Sequence, residues 1–268
     1  MSRLLRRRRV DPSTAPTTAT VVPGAEPYYG GSGPDGVLLC HGFTGSPQSM
    51  RPWADHLEAD GFRVALPRLP GHGTTWQEMN QTRWEDWYAR LDRAFVDLRS
   101  CCDRVFLAGL SMGGGLALRL AEQHGDAVVG LAVVNPSIAS ADPRMRLLPV
   151  LRHVVPSLAG ISSDIALPDA LEGAYDRTPL HAAWSLTGLW AVTSEHLNRV
   201  TSPLLVFKSV RDKVVDPRSL KLIEERVRST DFRVIRLERS YHVATLDYDA
   251  ELIFTSSSAF FQRLAGKG

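Results

Sequence analysis

Gly109-Leu110-Ser111-Met112-Gly113 follows the apolar run Val105–Ala108 and opens a helical run from about Met112 to His124, which ends at Gly125. In that strand-turn-helix setting, G-x-S-x-G forces the serine into a strained turn that exposes its hydroxyl, and the flanking glycines let strand and helix approach without a side-chain clash. A serine hydroxyl is a weak nucleophile without a base. His242 meets that need, lying in the loop Arg239-Ser240-Tyr241-His242 after the apolar run Arg233–Leu237. The acid that orients it is expected after the preceding run Leu204–Lys208, where Asp212 is the best candidate. Its nearest rival, Asp216, precedes Pro217 and has a helix-capping explanation. Asp247 and Asp249 come after the histidine, in the wrong chain order, and His124 and His196 sit in polar segments that read as surface. Ser111, Asp212 and His242 thus form a candidate acyl-transfer triad.

An acyl-transfer site also needs two backbone donors for the developing oxyanion. Met112, the residue after the nucleophile, supplies one from a helix N-terminus. Phe43, in the glycine-rich loop His41-Gly42-Phe43-Thr44-Gly45, supplies the other. His41 is expected to fix that loop by hydrogen bonds, and His72, in the turn Gly71-His72-Gly73, has no catalytic step. The composition implies no metal and no organic cofactor: the three cysteines show neither ligand spacing nor a plausible disulfide partner.

These residues must be held by strand ends. Val37–Cys40, Arg63–Leu66, Val105–Ala108, Gly130–Val134, Leu204–Lys208 and Arg233–Leu237 are short, apolar and bounded by Gly, Pro or polar residues, which predicts buried strands. Between them, Trp84, Trp87, Tyr88, Leu91, Phe95 and Leu98 recur at helical spacing, with Thr82 and Glu85 placed as a capping box. Asp216-Pro217 and Asp249 open two later helices. Such alternation predicts an α/β fold with a mostly parallel central sheet flanked by helices and a site at the strand carboxyl ends. Residues 136–200 interrupt it without a convincing strand, and are expected to form a small helical cap inserted after the fourth core strand. Its apolar segment Arg146–Leu158, with two prolines, should cover an apolar pocket.

Length, at 268 residues with 44% hydrophobic content, predicts one folded domain over residues 24–268. The first 23 residues differ: within residues 1–10, Arg3, Arg6, Arg7, Arg8 and Arg9 carry five positive charges and no acid, so of a net +2 residues 11–268 sum to −3. That arm is expected to be disordered, with two readings open: transient contact with an anionic lipid surface, or a solvated tail with no partner; no nucleic-acid partner is expected. Without a long apolar span or signal-like stretch, the expectation is a cytoplasmic protein, peripheral at the membrane through its arm.

HGFTGSP at 41–47, PRLPGHGT at 67–74, GLSMGG at 109–114 and SYHVATLDYD at 240–249 resemble bacterial monoacylglycerol lipases and the related small thermostable carboxylesterases of the α/β-hydrolase superfamily. The resemblance runs from about Val37 to Phe261. It implies the triad and oxyanion donors above, and hydrolysis of monoacylglycerols through an acyl-serine. It further implies that Glu172, in the stretch Pro168–Pro179, contacts the glycerol moiety, and that Ile161 narrows the acyl tunnel. A general carboxylesterase would share every catalytic residue. A non-catalytic module binding a hydrophobic ligand would have no need of the triad.

Overall fold

The computed structural model describes residues 19–160 and 164–266. In chain order the elements are β1 (Tyr28–Gly30), β2 (Asp35–Cys40), α1 (Arg51–Ala59), β3 (Arg63–Leu66), α2 (Trp76–Met79), α3 (Trp84–Arg99), β4 (Arg104–Leu110), α4 (Met112–His124) and β5 (Gly130–Val134). There follow α5 (Leu148–Leu151), β6 (Ser157–Ala159), β7 (Arg177–Pro179), α6 (Leu180–His196), β8 (Leu204–Ser209), α7 (Arg218–Arg226), β9 (Phe232–Leu237) and α8 (Ala250–Leu264).

Seven strands form one sheet in the order β1-β3-β2-β4-β5-β8-β9. All pair in parallel except β1, which runs antiparallel to β3. The central strands are apolar throughout because both faces are covered. Alternate residues go to opposite faces. Leu38, Leu107, Leu131 and Val206 pack with α3, α4 and α6, while Val37, Phe106, Ala132 and Phe207 pack with α1 and α8. Every expected strand is present, within a few residues of its expected bounds. β1 was not anticipated, since its three residues form one half-buried edge rung with no apolar run.

The capping box of α3 lies one residue later than expected. Arg83 is the N-cap, and its N–H donates to Asp86 at 2.9 Å. Thr82 instead accepts the Trp87 indole N–H at 2.9 Å. Asp216 caps α7 as expected, accepting Arg218 N–H at 2.9 Å. Residues 19–23, grouped with the arm by composition, are tied down at Ala19 N–H to Glu78 and at Val22 N–H to Gly73. The arginines of the arm lie outside the described residues.

The interval between β5 and β8 is not purely helical. The three-residue strands β6 and β7 pair antiparallel within it. α5 packs Leu148 against Leu180 and Ala183 of α6, with Phe43, Leu151, Val155 and Trp184 around them, so the Arg146–Leu158 segment does cover apolar surface. α6 is 17 residues long and apolar on nearly every side. Its Ala182, Leu186 and Leu189 join the core beside α3 and α4. Among the described residues, no helix is long and apolar enough to cross a membrane.

Candidate active site

Ser111 stands between β4 and α4 at φ 56°, in the left-handed region where a side chain is strained. The turn is held from both sides: Ser111 N–H donates to Val134 O at 2.9 Å, and its carbonyl accepts Ser137 N–H at 3.0 Å. Two glycines make this possible by close approach. A Cβ on Gly113 would lie 2.1 Å from Cys40 O, and one on Gly109 would lie 2.5 Å from Gly113 O. α4 begins at Met112, so the N–H of that residue has no acceptor within the helix and sits at its positive end.

His242 Nδ1 is 3.1 Å from Asp212 Oδ1. The Asp212 side chain is fully buried, and its Oδ1 also accepts Val214 N–H at 2.9 Å and Val215 N–H at 3.1 Å. Lys208 Nζ ion-pairs with Oδ2. Burial pushes the Asp212 carboxyl up, but the His242 hydrogen bond and charge, with Lys208, outweigh it and hold the group well below the usual carboxylate range. A fixed anion therefore faces Nδ1, which sets the ring's orientation and turns Nε2 away from that carboxylate.

The loop after β2 lies against the serine: a Cβ on Gly42 would be 3.4 Å from Ser111 Cβ. His41 fixes this loop as expected. Its Nδ1 is 3.0 Å from Gly42 O, and its Nε2 accepts Leu69 N–H at 3.2 Å. That pairing puts the proton on Nδ1, and burial lowers the His41 pKa to about 4, so the ring is neutral. Phe43 packs edge-on to Trp87 at 5.9 Å, and Trp87 in turn meets His72 at 5.4 Å. Thr44 O accepts Tyr175 N–H at 3.2 Å, joining the loop to the insertion.

Glu172 is brought to the same place. It is buried, and a Cβ on Gly45 would be 2.8 Å from its Oε1. Burial raises its pKa to about 6, opposed by the charge of His242. Ile161 lies outside the described residues.

Several residues that shape the site escaped the sequence reading. Asn135, at φ 44° after β5, donates through Nδ2 to Ser209 Oγ at 2.9 Å and to His242 O at 2.8 Å, and accepts Ser209 N–H at 2.9 Å. It ties the ends of two strands to the histidine loop. Asp249, set aside on chain order, accepts Arg239 and Ser240 N–H at 3.0 and 2.8 Å and braces the same loop. The motif at 240–249 was the available signal for Asp249. Asn135 had none.

A sequence profile described as "Serine aminopeptidase, S33" matches residues 34–249. The chain belongs to this family of α/β-hydrolases. It is 43% identical over 251 residues to the thermostable monoacylglycerol lipase of Bacillus sp. (strain H-257), covering 92% of this chain and 98% of that one. It is 25% identical over 242 residues to a carboxylesterase of Bacillus subtilis (strain 168), covering 89% and 97%. A solved structure from work on LipS and LipT, two metagenome-derived lipolytic enzymes, superposes with a TM-score of 0.88 at 42% identity, covering 91% of this chain and all of that one. As a member of the S33 α/β-hydrolases, the protein is a serine hydrolase.

Proposed function

We propose that this S33 hydrolase cleaves monoacylglycerols to glycerol and fatty acid, with Ser111 as nucleophile, His242 as general base and Asp212 as its orienting anion. His242 Nε2 takes the Ser111 proton as Oγ attacks the ester carbonyl, and the N–H groups of Phe43 and Met112 receive the oxyanion. The same proton passes to the departing glycerol oxygen. Water, deprotonated by His242, then releases the fatty acid and restores the serine.

The observation that carries the substrate reading is the buried Glu172 carboxylate beside the Gly42–Gly45 loop. With a pKa of about 6 it is an anion at pH 7.5, able to accept hydrogen bonds from glycerol hydroxyls. A simple alkyl ester makes no use of such an acceptor. The 43% identical lipase supports the same reading.

A lipid surface is the proposed source of substrate. Leu147, Val150 and Val154 are 62%, 72% and 77% exposed, in the same 147–155 segment whose Leu148, Leu151 and Val155 pack inward. The exposed Arg146 adjoins them, so an apolar patch beside a basic residue suits an anionic bilayer, as does the arginine-rich arm. Removal of residues 1–18 and, separately, Val150→Ser with Val154→Ser should each lower co-sedimentation with phosphatidylglycerol vesicles. Unchanged binding by both would end this part of the reading.

The substrate test compares kcat/KM on 1-monoacylglycerols with that on alkyl esters of the same acids and on aminoacyl anilides. A preference for glycerol esters that Glu172→Ala removes is expected. Equal or better rates on alkyl esters would make the protein a general carboxylesterase, and faster anilide cleavage would make it a peptidase.

A further inference from the structure

We infer that Asp164 and Asp247 are positioning residues that bind the insertion to the histidine loop, so that His242 is correctly set only while the strap Asp164–Leu167 is in place. The strap and the loop are joined by four hydrogen bonds between segments about 80 positions apart. His242 N–H donates to Asp164 Oδ2 at 3.2 Å, and Val243 N–H donates to the Asp164 carbonyl at 3.1 Å. In the other direction, Ala166 N–H and Leu167 N–H donate to Asp247 Oδ2 and Oδ1 at 2.8 and 3.0 Å.

Asp247 does more than hold the strap. The same carboxylate accepts Tyr241 N–H at 2.8 Å through Oδ2 and Tyr248 N–H at 2.8 Å through Oδ1. One buried anion therefore collects four main-chain donors, two from the insertion and one from the residue before His242. Charge-assisted bonds of this kind are about twice as strong as neutral ones, and a carboxylate with all its lone-pair directions engaged has one orientation. Apolar contact adds to the joint, because Ile165 packs with the cluster that contains Val243 and Ala244.

The consequence for chemistry follows from direction. Asn135 holds His242 by its carbonyl and Asp164 holds it by its N–H, so the backbone of the general base is pinned on both sides. Only the second pin belongs to the insertion. A displacement of the strap would move the imidazole against Asp212 and Ser111, and a misplacement of about 1 Å is worth up to about 100-fold in rate.

This inference rests on the assignment of His242 as general base, and the experiment separates the two. Asp164→Ala, Asp247→Ala, His242→Ala and wild type are compared for fluorophosphonate labelling of Ser111, for kcat and KM on a short, soluble ester, and for the downfield proton resonance of the His242 Nδ1–H···Asp212 bond. Asp164 is only partly buried and its carboxylate accepts one of these bonds where that of Asp247 accepts four, which keeps the test usable if Asp247→Ala folds poorly. The expected result is a 10- to 100-fold fall in labelling rate and kcat for both aspartate variants, KM within about threefold of wild type, and a broadened or lost downfield resonance. Loss of labelling in His242→Ala with wild-type labelling, kcat and resonance in Asp164→Ala would overturn the positioning role and leave the base assignment standing. Undiminished labelling in His242→Ala would overturn the base assignment and this inference with it.

Discussion

Glu172→Gln should make this enzyme more stable and less active on its proposed substrate. Burial lifts the Glu172 pKa from its ordinary 4.5 to about 6, so the folded protein binds this proton more tightly than the unfolded chain does. Stability from the protonated form is complete below pH 4.5 and is lost as pH rises to about 6. At about 1.4 kcal/mol for each pH unit, the carboxylate costs about 2 kcal/mol at pH 7.5 relative to acid. Glutamine keeps the shape and carries no charge. The stability difference between Glu172→Gln and wild type should therefore shift by about 2 kcal/mol in favour of the variant between pH 4.5 and 7.5, or roughly 4 °C in Tm for a chain of this size. Thermal and urea melts across that range read it directly, with kcat/KM on a monoacylglycerol measured alongside. A difference that stays constant with pH, or one that favours wild type above pH 6, would refute a carboxylate penalised by burial.

Other outcomes follow from the same geometry. Asp212→Asn should lower kcat by about 10⁴, because an amide facing Nδ1 no longer fixes the productive tautomer, and should also lower Tm because Lys208 loses its buried counter-charge; a kcat loss under tenfold would remove Asp212 from the triad. Asn135→Ala strands the buried Ser209 N–H and one acceptor site on His242 O, and should cost about 3 kcal/mol in urea unfolding together with a fall in kcat. Gly113→Ala places a methyl 2.1 Å from a main-chain oxygen and should destabilise by about 3 kcal/mol or more, readable as loss of soluble protein or a lowered Tm.

The strands were legible because a parallel sheet covered on both faces needs short apolar runs, and those runs stand out between polar turns. The candidate triad could be read because each proposed member follows such a run. Three kinds of feature were not legible. β6 and β7 are too short to carry a period, and α6 is apolar on nearly all sides because it lies between the core helices and α5, so it shows no amphipathic stripe. Asn135, Lys208, Asp164 and Asp247 act on partners brought close only by the fold. For Asp247, chain order set it aside as a catalytic acid and so concealed the proposed positioning role, since a brace can come after the group it holds. The basis for Glu172 was different: only the family resemblance selected it among the insertion's acids.

The pairing of α1 with α8 has a consequence for how the molecule comes into being. Trp53 Nε1 donates to Ser257 Oγ at 2.8 Å across 204 positions, and Asp247 and Asp249, which brace the histidine loop, immediately precede α8. Such distant contacts form late in folding, after the cost of closing long loops has been met. During synthesis the serine turn can be complete, with Val134 and Ser137 in place, while nearly half the chain is still to come, yet the proposed base, His242, is not in place until residues near the end have docked. Activity should therefore appear in one step with the arrival of the last helix, which makes ester turnover a direct reporter of completed folding.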